Sequence, residues 1–195
     1  MHLGDGPSWR VGIGDASDLA FALYVREAAA IVGAEDVPPL FAPVPRWSYP
    51  FSEVQRAALA TQWSSWWSTL LSKRTDGSIS GGYDGPDFAS MVGTPELRQV
   101  QREFFLPANR WGATSGLESW SYTGSEAFMP IDLVAELEET LGRAARPFSF
   151  AVEVLPIVGA WSLDLSPNQM LASEALCADS GAFREVLRSR LTALA

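Results

Sequence analysis

The sequence predicts an α+β fold in which helices pack on a C-terminal antiparallel β-meander. Up to Pro147 the apolar residues recur at helical spacing, whereas FSFAVEVL and AWSLDL beyond it alternate with a period of two. The links between the alternating segments are short, which favours antiparallel neighbours. With 195 residues and 47% apolar content the chain can bury a sizeable core, and it reads as one domain over residues 1–195.

The first helix begins near Asp15 or Ser17, either of which can cap it, and runs to about Val32, with Gly33 as its stop. Its stretch FALYVREAAAIV is apolar nearly all round, so it belongs in the interior. In the following EDVPPLFAPVPRWSYP, Pro38, Pro39, Pro43, Pro45 and Pro50 remove backbone donors and favour extended chain. Leu40, Phe41, Val44, Trp47 and Tyr49 would be wasted on a bare linker. They predict a connector pressed against the body.

Ser52 opens the second helix, with Gln55 in capping-box position. On a helical wheel Leu59, Trp63 and Leu70 share its centre line, and Trp66 and Trp67 take opposite flanks. Trp66 borders Gln55, Gln62 and Thr69, so it is the tryptophan expected at a surface or cleft, where its indole N–H can find a partner. In TPELRQVQREFFLP, Thr94 caps a third helix, Pro95 takes the first position, Leu97, Val100 and Phe104 face inward, and Pro107 ends it.

The long aromatic stretch that follows can fold as a hairpin at 109–122, pairing Asn109 to Thr114 with Leu117 to Tyr122. A helix from about Pro130 to Leu141 buries Leu133, Val134, Leu137 and Leu141 and turns Asp132, Glu136 and Glu139 outward. Strands are expected at about 148–156, 160–165 and 170–176. Asp179 caps a last helix whose inner face carries Phe183, Val186, Leu187, Leu191 and Leu194.

Composition excludes several function classes. A net charge of -9 opposes binding to phosphate backbones, so no nucleic-acid partner is expected. No apolar run approaches the roughly 18 residues of a membrane helix, and MHLGDGPSWRVG lacks the basic head and apolar stretch of a leader, so no membrane partner and a cytoplasmic location are expected. Cys177 is the only cysteine and His2 the only histidine, which rules out an internal disulfide and a Cys/His zinc cage within the chain. Lys73 is the only lysine and no phosphate-binding loop surrounds it. GATSG centres Thr114 where a nucleophile elbow needs serine. No cofactor and no metal are expected.

Two motifs come close and fail. Gly12, Gly14 and Ser17 imitate a dinucleotide fingerprint, but Glu35 and Asp36 run straight into Pro38 and Pro39, leaving no room for the second strand. Asp76, Ser78, Ser80, Asp84 and Asp87 resemble a calcium loop, but Asp87 stands where the bidentate glutamate belongs and Pro86 intrudes. Both read as turns.

Among carboxylates, Glu153 and Asp164 oppose the apolar side of their strands and so are candidates to share a sheet face. Glu174 has the more apolar neighbours, Met170, Ala172 and Leu176, so burial there would raise its pKa. With most catalytic toolkits missing, the leading expectation is a non-enzymatic protein-interaction module that meets a basic partner through Glu136 and Glu139 and an aromatic segment containing Trp111, Trp120 and Tyr122. The alternative is a small-molecule-binding protein or enzyme with carboxylate chemistry from Glu153, Asp164 or Glu174 in a Trp-lined pocket that includes Trp66.

Overall fold

The alternation after Pro147 is matched by strands, but the sheet they build is mixed. The computed structural model describes residues 9–32, 37–75, 86–115 and 129–195. Along these the chain runs β1 (Arg10–Asp15), α1 (Ser17–Ala28), α2 (Glu53–Thr75), a short 3-10 turn (Ala89–Met91), α3 (Pro95–Ser115), α4 (Met129–Leu141), β2 (Ser149–Leu155), β3 (Ser162–Ser166), β4 (Gln169–Ser173), α5 (Glu174–Ala178) and α6 (Ser180–Leu194). Helix and sheet together make the α+β class. Two compact units emerge: one draws on Met1–Asp15, Ser121–Val154 and Gly159–Ala195, the other on Ala16–Trp120 and Leu155–Val158.

In the first unit the sheet order is β1-β2-β4-β3. The expected meander is therefore corrected in two ways. β4 lies between β2 and β3, and RVGIGD adds a strand that runs parallel to β2, with Val11 opposite Phe150 and Ile13 opposite Val152. Gly12 and Gly14 have weak strand propensity, so this segment reads as a turn until β2 supplies its partner. Only β3 and β4 pair as the expected antiparallel hairpin. The third strand also stops early, because Ser173 turns its hydroxyl to the Leu176 N–H at 3.1 Å and caps α5. Asp179 caps α6 as expected, accepting the Ala182 N–H at 3.0 Å. Phe150, Val152, Val154 and Met170 of the sheet, Leu133, Val134 and Leu137 of α4, and Phe183, Leu187 and Leu191 of α6 are all buried.

The second unit is built around α1, which is buried almost throughout, as its all-round apolarity requires. The helix stops earlier than expected, at Ala28. The Ile31 N–H reaches the Arg26 carbonyl at 2.8 Å and the Ala30 N–H reaches that of Glu27 at 3.1 Å, which leaves Ala30 in the left-handed region with φ 52°. This is the helix-ending motif that usually carries glycine at that position. Neither Asp15 nor Ser17 caps the start; Ala16 stands there with no side-chain bond.

On α2 the capping box forms, with the Ser52 N–H on Gln55 Oε1 at 3.1 Å and the Gln55 N–H on Ser52 Oγ at 3.3 Å. Its buried stripe is Leu59, Trp63, Trp66, Leu70 and Arg74. The start of α3 is capped by Gln62 of α2, whose Oε1 accepts the Leu97 N–H at 2.9 Å. Thr94 instead donates its hydroxyl to the Met91 carbonyl. Pro107 does not end α3, and Asn109–Thr114 are helical, so the first half of the expected hairpin is corrected. Tertiary contact outweighs the donor lost at proline: beyond it Ala108 is buried and Trp111 lies 5.6 Å from the Tyr24 ring. The hairpin's second half, Leu117 to Tyr122, lies outside the described residues.

Gln101 on α3 is fully enclosed, and neither amide atom has a hydrogen-bond partner among the described residues. A buried amide left unsatisfied costs about 1–3 kcal/mol. Gln101→Leu should therefore raise stability by about 1 kcal/mol or more, read as a higher midpoint in urea. A lower midpoint would show that the amide is satisfied by an internal water.

Candidate functional site

The proline-rich connector is fastened to the second unit by polar groups rather than by regular structure. Arg26, buried on α1, donates to the carbonyls of Val37 at 2.9 Å and Pro38 at 3.0 Å. Glu27 accepts the Leu40 N–H at 2.6 Å. Leu40 bridges Ile157, the Phe41 N–H reaches the Pro156 carbonyl, and the Trp47 N–H reaches that of Ala28, each of these two hydrogen bonds at 2.9 Å. A chain with so few free donors is held by side chains from its neighbours. Of the apolar residues expected to press against the body, Leu40 is buried, Val44 and Tyr49 are half-buried, and Phe41 and Trp47 stay 40% and 44% exposed.

The fastening leaves a cavity of about 600 Å³ between the end of α1, residues 46–51 and the start of α2. Its walls include Ile31, Trp47, Tyr49, Phe51 and Leu59, and its cations are Arg46 and Arg56. Tyr49 stacks on Phe51 with centroids 4.9 Å apart, and both Tyr49 and Trp47 lie 5.9 Å from the Phe104 ring. The Tyr49 hydroxyl donates to Glu103 of α3, and burial with that carboxylate pushes its pKa well above the ordinary phenol value. Arg56 Nε donates to the Phe51 carbonyl at 3.1 Å. Neither Arg46 nor Arg56 joins an ion pair among the described residues, a lack they share with Arg10, Arg98, Arg110, Arg143 and Arg146; what sets the two apart is that they line this cavity. The left-handed Ala30 also lines this cavity and a neighbouring one of about 560 Å³ that shares Arg46.

The residues singled out from sequence do not gather here. Trp66 is 8% exposed and packs edge-on against Phe21 at 5.9 Å, so its expected place at a surface or cleft is corrected. Phe21 of α1 covers that flank of α2, which buries Trp66 beside the Leu59, Trp63 and Leu70 stripe. Trp111 is half-buried against Tyr24, and Trp120 and Tyr122 lie outside the described residues. Most of the calcium-like loop does too. Its last acid, Asp87, lies 3.7 Å from Arg102.

In the first unit Glu136 is held by Arg184 and Arg188 of α6, which lower its pKa, while Glu139 is exposed. Glu153 accepts the Gln169 side-chain amide at 2.8 Å, and Asp164 takes two bonds from Arg190 at 2.9 and 3.2 Å. Asp164 stands opposite Met170 in the β3–β4 register. Successive β4 side chains point to opposite faces, so Asp164 shares Met170's face and Glu153 shares that of Gln169. The two acids do not share a face.

Glu174 is not on a strand but at the first position of α5, where burial raises its pKa. Cys177 is buried, and its thiol is pushed up to about 12 by that burial and by the Glu174 charge. It should stay inert to thiol reagents at pH 8 while folded and react only in denaturant; fast reaction in the native state would contradict this. A carboxyl with a raised folded-state pKa favours folding while protonated, and that contribution is lost as pH climbs from the unfolded value through the folded one. Glu174→Gln should therefore be more stable than the native chain at neutral pH, with the difference fading on acidification in parallel urea titrations.

Arg46 and Arg56 are not conspicuous in the sequence. The available signal was the pairing of arginine with Trp47 and Tyr49 inside a proline-rich stretch of an acidic chain. Comparison with protein-family models, curated proteins and solved structures finds no match in any of the three. Among the described residues no group of three His, Cys, Asp or Glu is placed to hold a metal ion, and no helix is long and apolar enough to cross a membrane.

Proposed function

We propose that this chain is a small-molecule-binding protein whose ligand occupies the cavity beside the proline-rich connector, and that it works by binding rather than catalysis. The observation that carries this reading is one juxtaposition: two arginines without ion-pair partners among the described residues line an aromatic-walled cavity, in a chain whose net charge is -9. Its volume of about 600 Å³ falls in the usual range for ligand pockets, where a mostly apolar wall carries a few polar groups that fix orientation.

Two competing readings have less behind them. Acid–base chemistry wants paired carboxylates, and Glu153, Asp164 and Glu174 are separated by sheet face and element. Docking of a basic partner on α4 would have to displace Arg184 and Arg188 from Glu136.

A ligand-observed NMR screen of small aromatic and aliphatic fragments tests the proposal. Fragments should give saturation transfer with the native chain and lose it in Ala60→Trp and Ala57→Trp, each of which adds an indole to the cavity wall. Undiminished transfer in both variants, with melting unchanged, would place binding elsewhere and sink the reading.

A further inference from the structure

Building on the cavity reading above, we infer that the ligand is an amphipathic monocarboxylate, with its carboxylate at Arg46 and Arg56 and its apolar or aromatic body against Trp47, Tyr49, Phe51 and Leu59. A guanidinium presents a planar fork of donors that matches a carboxylate, and such charge-assisted bonds are about twice as strong as neutral ones. Two other arginines of this chain meet carboxylates in that way: Arg190 takes both oxygens of Asp164, and Arg74 both of Asp18. Arg46 and Arg56 meet none among the described residues and line the cavity together.

The surroundings argue for a single negative charge rather than a phosphate. Phosphates favour helix N-termini and loose backbone N–H groups. The start of α2 is closed by its own Ser52–Gln55 capping box and carries Glu53 in its first turn. Glu103 adds a second carboxylate behind Tyr49. Neither acid lines the cavity, but both add negative charge beside residues of its wall, which opposes a dianion more than a monoanion. The rings of Tyr49 and Phe51, held nearly parallel, suit a flat or methylene-rich body that has no hydrogen bonds to satisfy.

Calorimetric titration with 2-naphthoate, 2-naphthamide and 2-naphthyl phosphate tests the class separately from the cavity. The native chain should bind naphthoate about tenfold or more tighter than the amide, and in the Arg46→Gln/Arg56→Gln chain that preference should fall below about threefold with the amide's own affinity unchanged. Equal affinity for acid and amide, both abolished in Ala60→Trp, would overturn the carboxylate inference and leave the cavity standing. Phosphate ester binding about tenfold tighter than naphthoate would overturn it in favour of a phosphate ligand. No binding of any of the three by the folded native chain would overturn the inference and the cavity reading together.

Discussion

Replacing Arg74 with leucine is expected to lower stability by about 3–5 kcal/mol, because it strands a buried charge. Arg74 lies within the unit built around α1 and bonds both carboxylate oxygens of Asp18 as well as the Leu70 carbonyl, at 2.9 Å. Asp18 is itself buried and also accepts the Leu19 N–H at 2.9 Å. Once the guanidinium is gone that carboxylate must be protonated or hydrated, and either outcome opposes folding at neutral pH. A second substitution gives the control: Asp18→Leu in the Arg74→Leu background removes the orphaned charge and should recover most of the loss. Urea unfolding reads both. A loss below about 1 kcal/mol for Arg74→Leu would mean that the pair is solvated and plays no part in joining α1 to α2.

Trp63→Ala is expected to cost a similar 3–5 kcal/mol or so, by a different route. Trp63 is 1% exposed, stacks on Trp67 with centroids 5.5 Å apart, and donates its indole N–H to the Ala22 carbonyl at 2.8 Å. Truncation removes the contact area and leaves a void that close-packed neighbours fill only in part. Trp63→Phe keeps most of the area but loses the hydrogen bond, so it should cost about 1 kcal/mol from that term plus a smaller packing loss. If the phenylalanine variant were as damaged as the alanine one, the hydrogen bond rather than the packing would dominate the site.

The sequence was most legible where one periodicity ruled a whole element. The burial of α1, the capping box on α2 and the inner face of α6 all follow from apolar spacing and local hydrogen bonding. It was least legible where a partner from far along the chain decides. β1 becomes a strand through its pairing with β2, and α3 passes Pro107 because residues beyond the proline pack on α1. Likewise, Gln62 caps α3 from another helix.

The candidate site shows the same division. The connector's apolar residues announce contact with the body, which Leu40 makes in full and Phe41 and Trp47 only in part. The fastening by Arg26 and Glu27, and the lack of ion pairs at Arg46 and Arg56 among the described residues, depend on side-chain pairings that no local spacing encodes. Trp66 was misplaced because a wheel assigns faces from hydrophobicity alone. The contact that buries Trp66 comes from Phe21 of another helix, α1.

The cavity beside Trp47 is the proposed binding site. It is tested most directly by the indole N–H signals of the tryptophans in a two-dimensional 1H–15N spectrum, assigned by Trp47→Phe and Trp63→Phe, as 2-naphthoate is added. The Trp47 signal should move progressively and saturate while that of Trp63, sealed in the core, stays in place. A Trp47 signal unmoved at saturating ligand, with shifts confined to other tryptophans, would contradict it.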